Sequence, residues 1–157
     1  MDKKYINIYN NIIKLTRNKS LYLNLSENET FSDRIIFLLF HLSFFFKSYK
    51  KSHPSMDLQK IHDHIFKQIE LSIREIGYGD VSVNKYMKKY INYFYDIISN
   101  IDSWENIDIN KKKDILEKFI NRPKNISFFV EYFDKLYFFY KNNTLIYFTK
   151  DIEEIRI

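Results

Sequence analysis

Apolar residues recur every three to four positions through most of this chain, the spacing that lines up one side of an α-helix. Tyr5, Ile8, Ile12 and Leu15 form such a stripe and predict a first helix from about Lys4 to Arg17. A second helix is predicted from about Asp33 to Lys50, and it is apolar on nearly every side. One of its stripes holds Ile35, Leu38, Leu39, Leu42, Phe45, Phe46 and Tyr49, and another holds Phe37, Phe40 and Phe44. A helix with no polar face is usually interior, so burial of the phenylalanine stripe is the favoured expectation. The alternative is that Phe37, Phe40 and Phe44 line a docking groove for an apolar client. Lys47, Lys50 and Lys51 suit the negative end of this helix, and Pro54 marks its stop.

The third predicted helix, about Met56 to Ile76, is cleanly amphipathic. Ile61, Ile65, Ile69, Ile73 and Ile76 share one face, and the other offers Asp63–Lys67 and Glu70–Arg74 pairs at i,i+4. The fourth, about Val81 to Asn100, sets Val83, Tyr86, Tyr90, Phe94 and Ile97 against a polar side with Lys85, Lys88, Lys89 and Asn92. Two more are expected over about Asn110 to Asn121 and Ser127 to Lys141. The stretch "TLIYF" that follows reads equally as a short strand or as a docked extended tail. The fold class is therefore all-α, a single-domain bundle of about six helices with a short extended C-terminal tail in prospect.

Breakers are scarce. The chain has only two glycines, Gly77 and Gly79, and they stand two positions apart in "IREIGYGD". This reads as a tight corner between helices, with Gly77 as a left-handed helix stop and Asp80 as the next N-cap. Upstream, "SENETFSDR" offers two capping boxes, Ser26 with Glu29 and Thr30 with Asp33.

Composition narrows the chemistry. There is no cysteine, which removes disulfides, thiolate metal sites and cysteine nucleophiles. The longest apolar run, Ile35 to Phe46, falls short of the roughly 20 residues of a membrane span and is broken by His41 and Ser43. The opening residues contain no apolar h-region, so no secretory signal is read and a cytoplasmic location is expected. The net charge of +5 points towards anionic partners, although lysine enrichment along the whole chain weakens that inference. His53, His62 and His64 do not converge on one ion at these helical spacings, so no metal is expected. His41 is expected to be a buried imidazole bonded to a neighbour. No triad or paired-carboxylate motif calls for an enzyme. Lys85, Lys88 and Lys89 read either as a solvated face or as an anion-facing or partner-facing patch.

The run "IELSIREIGYGDVSVNKYMKKYINYFY" resembles the ubiquinol-cytochrome c chaperone family through Ile73, Arg74, Glu75, Gly77, Gly79, Asp80, Val83, Phe94 and Tyr95. Arg17 and Tyr22 are similar to that family's Arg and Tyr after its opening helix. Thr30, Arg34, Leu39, Phe40, His41 and Phe44 can be placed on its next segment, though Ser32-Asp33 stands where the family favours Asp-Gly. The resemblance covers most of residues 8 to 140. It implies a non-catalytic, cofactor-free assembly factor for the cytochrome bc1 complex that binds newly made cytochrome b. Family relatives work with a small partner protein and near the ribosome exit tunnel. This chain is similar to bacterial members working peripherally on the cytoplasmic face of the inner membrane, with no DNA among its partners. On that reading Arg17, Arg34, His41, Arg74, Glu75, Gly77, Gly79 and Asp80 are structural motif positions, and Lys85, Lys88, Lys89, Phe37, Phe40 and Phe44 are the partner-binding candidates. A basic module binding ribosomal RNA or an anionic membrane surface is the other reading of the lysine face.

Overall fold

A computed structural model describes residues 2–50 and 57–157. Helix α1 (Lys3–Thr16) starts at Asp2, whose carboxylate accepts from the Lys4 N–H at 3.1 Å. A short helix α2 (Lys19–Leu23) follows, absent from the sequence expectation. Helix α3 (Phe31–Tyr49) opens with the expected box: Thr30 Oγ1 accepts from the Asp33 N–H at 3.1 Å, and the Asp33 carboxylate accepts from the Thr30 N–H at 2.9 Å. The Ser26–Glu29 box does not form. The Ser26 N–H instead donates to Arg122 O at 2.7 Å, beside an isolated antiparallel bridge between Leu25 and Pro123.

Helix α4 (Leu58–Ile76) starts after Asp57, and Met56, Pro54, His53 and Lys51 lie outside the described residues. Of its two anticipated ion pairs, Glu70–Arg74 forms at 3.4 Å. Asp63 turns away from Lys67 to Gln59 and His62, and Lys67 pairs with Glu70 at 3.3 Å.

Helix α5 (Asp80–Ile101) is reached through the glycine corner. Gly77 sits at φ +110°, where an L side chain is strained, and its N–H closes the helix on Arg74 O at 3.0 Å. Gly79 is ordinary extended backbone, with φ −80° and ψ 172°. Asp80 is not the cap: it is the first helical residue, and its carboxylate accepts from Arg74 Nη1 at 2.6 Å. Gly77→Val is therefore expected to cost about 2 kcal/mol, which at this size lowers the melting temperature by roughly 6 °C. Gly79→Ala is expected to change it by no more than about 2 °C. A Cβ meets no atom within 4 Å at either position, so no clash at the Cβ accounts for the contrast. Equal melting temperatures in thermal scans of the two variants would refute it.

A 3₁₀ turn at Trp104–Asn106 leads into α6 (Ile109–Glu117) and α7 (Ile126–Lys141). "TLIYF" is neither strand nor extended tail. Thr144 caps a one-turn helix, α8 (Leu145–Phe148), because its hydroxyl accepts from the Tyr147 N–H. Beyond it the chain runs back along α1, held by side chains one helical turn apart. Asn7 Nδ2 donates to Thr149 O, Asn11 Nδ2 to Phe148 O and Lys150 O, each at 2.9 Å, and Lys14 Nζ to Ile152 O.

Helix α3 lies at the centre, touching α1, α5 and α7. Phe37, Phe40 and Phe44 are 1 %, 0 % and 0 % exposed. They face α7 and its surroundings: Phe37 stacks on Phe129, Phe40 and Phe44 meet Phe133, and Phe44 meets Trp104 edge-on. The favoured interior reading is what the structure shows. The docking-groove alternative is corrected, because three rings with no solvent exposure line no surface.

Candidate client-binding groove

Helices α1, α3 and α4 do not close completely against one another. Between them lies an open groove of about 470 Å³. Its apolar lining includes Ile35, Leu38 and Ile69, from the core-facing stripes of α3 and α4, and Ile13 from the flank of the α1 stripe. Arg17, Arg34 and Glu75 stand on its rim, each exposed. Arg17 arrives there as the residue that ends α1, Arg34 from the first turn of α3 and Glu75 from the last turn of α4.

The rim is incompletely neutralised. Arg34 is 3.7 Å from Glu29, a loose and exposed pair. Arg17 and Glu75 form no ion pair among the described residues. Tyr22 lines the groove between the two arginines, its hydroxyl donating to Thr16 O at 2.8 Å and its ring set edge-on against Phe37. Burial, with help from Glu29, pushes its phenol up to about 12, so it remains a neutral donor at physiological pH. Tyr9, also in the groove, is raised by burial against a smaller opposing pull from Arg17.

Gln68 and Ser72 complete the polar wall, and sequence reading had not singled them out. Gln68, Ser72 and Glu75 follow one another at i, i+4 and i+7 on α4, so they share a flank beside its isoleucine stripe. That periodicity was the available signal. Chemically, a short apolar surface with unpaired charges at its edge can hold an apolar segment that ends in polar groups.

The remaining sequence candidates lie elsewhere. His41 is wholly buried, with Nδ1–H donating to Phe37 O and Nε2 accepting from Tyr132 Oη, both at 2.6 Å. It lines no cavity. Arg74 is spent on Glu70 and Asp80 in the glycine corner. Lys85, Lys88 and Lys89 project from α5, away from the groove. His62 packs on Phe66 and Phe94 and has only one satisfied nitrogen, at 3.1 Å from Asp63. Among the described residues no cluster of His, Asp and Glu could hold a metal ion, and His53 lies outside them.

The model of the ubiquinol-cytochrome C chaperone family matches residues 24–123, well over half of the chain. The chain belongs to that family. Membership implies a chaperone role in assembly of the bc1 complex, and with it a client protein in that assembly. No curated protein and no solved structure matches the chain. The two ends of the matched span meet in space at the Leu25–Pro123 bridge, and the span runs from α3 to α6. Arg34 and Glu75 of the groove lie inside the match. Arg17 and Tyr22 precede it, so the chaperone's groove is completed by a segment that the family model does not reach. No helix among the described residues is long and apolar enough to cross a membrane.

Proposed function

We propose that residues 1–157 act as one chaperone domain holding newly made cytochrome b until haem and partner subunits are added. In this reading the α1–α3–α4 groove receives an apolar client segment. One observation supports it above the rest: three charged motif positions far apart in sequence, Arg17, Arg34 and Glu75, surround the same apolar depression. A groove of about 470 Å³ lies in the range of ordinary ligand sites, so it takes a few side chains and not a whole membrane helix. Covering the end of an exposed apolar segment removes it from water, and the charged rim engages the polar residues that follow. Holding of this kind needs no turnover. The protein works peripherally, on the cytoplasmic face of the inner membrane, where its client emerges from the ribosome.

Capture of cytochrome b by tagged protein from detergent-solubilised membranes tests this. Wild-type protein is expected to retain it, and Arg17→Glu/Arg34→Glu to retain about tenfold less, as charge reversal at a binding rim does. Both arginines are exposed, so the double variant is expected to melt with wild type. Absence of cytochrome b from the wild-type eluate would overturn the client. Equal capture by the double variant would overturn the groove.

A further inference from the structure

The second exposed feature of the molecule lies one helix over, at the glycine corner. Ile76, Tyr78 and Val81 are 53 %, 42 % and 86 % exposed there, a concentration of apolar side chains that folding has left in water. Tyr78 is held in place by the Tyr86 ring at 4.9 Å. From Val81 an outward stripe continues along α5 through Lys85, Lys88, Asn92 and Tyr95, at i+4, i+7, i+11 and i+14. The stripe is about 21 Å long at 1.5 Å per residue.

Its charge is one-sided. No acidic residue occurs between Val81 and Tyr95. Lys85, Lys88 and Lys89 are exposed and form no ion pair among the described residues, and Lys89 lies only against the Tyr90 and Tyr93 rings at 5.7 and 5.6 Å. Two of the three acids nearest the corner are already engaged. Asp80 and Glu70 both pair with Arg74, at 2.6 and 3.4 Å, which leaves Glu75 at the groove rim as the unpaired carboxylate of this end of α4.

We propose that the corner at residues 76–81 and the outward stripe of α5 form a docking surface for an anionic lipid bilayer. The lysines meet the phosphate headgroups while their alkyl stems lie along the interface, and Tyr78 and Tyr95 sit at headgroup level. Ile76 and Val81 reach the acyl boundary. The aliphatic tip is what favours a bilayer over RNA, because a phosphate backbone offers Ile76 and Val81 nothing to bury against. The lysine stripe lies on α5, outside the groove lining, while Ile76 at the corner also lines the groove, so a docked chaperone holds the groove's edge at the membrane from which its client arrives. The proposal draws on the chaperone reading only for that last point.

Co-sedimentation with vesicles of equal parts phosphatidylglycerol and phosphatidylcholine tests it, with pure phosphatidylcholine vesicles as comparison. Wild-type protein is expected to bind the anionic vesicles at low salt and to leave them at high salt. Each lysine near an anionic surface multiplies partitioning roughly fivefold, so Lys85→Gln/Lys88→Gln/Lys89→Gln is expected to lose about a hundredfold. Val81→Asp is expected to lose on the order of tenfold with all lysines intact. Failure of wild type to bind, or unchanged binding by the triple variant, overturns the proposal. Unchanged binding by Val81→Asp overturns the apolar contact, and preference for single-stranded RNA over vesicles in a competition assay reassigns the surface to nucleic acid. Cytochrome b capture in detergent involves no bilayer, so the two readings fail separately. Lysine variants are expected to keep the client and lose vesicles, and the arginine variants the reverse.

Discussion

Phe44→Ala is expected to destabilise the protein by about 4 kcal/mol, the middle of the range for removing a buried aromatic side chain. The ring has no solvent exposure and is enclosed on several sides. Trp104 meets it edge-on at 5.2 Å, Phe133 stacks at 5.6 Å, and Tyr137 closes the remaining side at 5.8 Å. Truncation leaves a cavity walled by rigid rings, which relax into it poorly, and it also removes two or three aromatic pairs worth about 1 kcal/mol each beyond burial. A domain of this size is stable by only about 5–15 kcal/mol, so urea denaturation should show a large fall in the unfolding midpoint with little change in slope. The same measurement separates the two roles that sequence left open for this stripe. A surface residue built for docking would lose client affinity on truncation and leave the midpoint where it was. Loss of stability from Phe44→Ala, and from Phe37→Ala and Phe40→Ala, is the signature of a ring that holds α3 against α7.

The long helices were legible because each carries its own period. A four-residue apolar recurrence survives any detail of tertiary packing, and an all-round apolar helix such as α3 has only one stable place in a water-soluble bundle. The Thr30–Asp33 box and the Gly77 stop were legible for the same reason: both are decided within a few residues of backbone. Elements settled by distant partners were not. Ser26 forgoes its local box because residues 24–26 lie beside residues 122–124, and no periodicity announces that pairing. Asp80 gives its carboxylate to Arg74 six residues back, so it leaves the capping role that its position suggested. "TLIYF" has β-type composition, yet Thr144 caps it into a helical turn and Phe148 is fully buried among Phe45, Tyr49, Phe139 and Tyr140.

The groove was half legible. Arg17, Arg34 and Glu75 were visible as motif positions, but a structural role seemed sufficient for each, since nothing in one dimension brings residues 17, 34 and 75 together. Their convergence is a consequence of α1 and α4 both packing along the same end of the molecule as the start of α3. The apolar lining was harder still to foresee. Ile35, Leu38 and Ile69 belong to stripes that read simply as core, and only the incomplete closure of three helices turns part of that core into surface. The lysine stripe of α5 is the opposite case, because its exposure followed directly from the helical period.

Stability is expected to fall by about 2 kcal/mol between pH 7 and pH 5, and His41 supplies the reason. Complete burial holds its imidazole down to about 4 from the ordinary 6.5, against a smaller opposing pull from the bond to the Phe37 carbonyl. The geometry fixes the neutral form. Nδ1–H must donate to a carbonyl that can only accept, and Nε2 accepts from Tyr132 Oη, whose own phenol is raised by burial and stays protonated. A second proton on the ring would oblige the Tyr132 hydroxyl to turn and accept from Nε2–H, and would place an uncompensated charge in the core. Tyr140, likewise raised by burial, donates to the His41 carbonyl at 3.1 Å, so no carboxylate among these partners can neutralise that charge. In the unfolded chain the imidazole takes up its proton near 6.5. The sign follows from the depressed native value: the unfolded state binds more protons below 6.5, so the contribution is complete above that pH and is lost progressively as pH falls towards 4. Urea unfolding at half-unit steps from pH 7.5 to 5 measures it, staying above the range where most carboxylates titrate. In His41→Leu the slope over this interval should largely vanish, even though the variant starts less stable because Tyr132 Oη and Phe37 O lose their partner. A wild-type profile as flat as that of the variant would mean that the ring reaches solvent, and the packing of α3 against α7 would have to be redrawn.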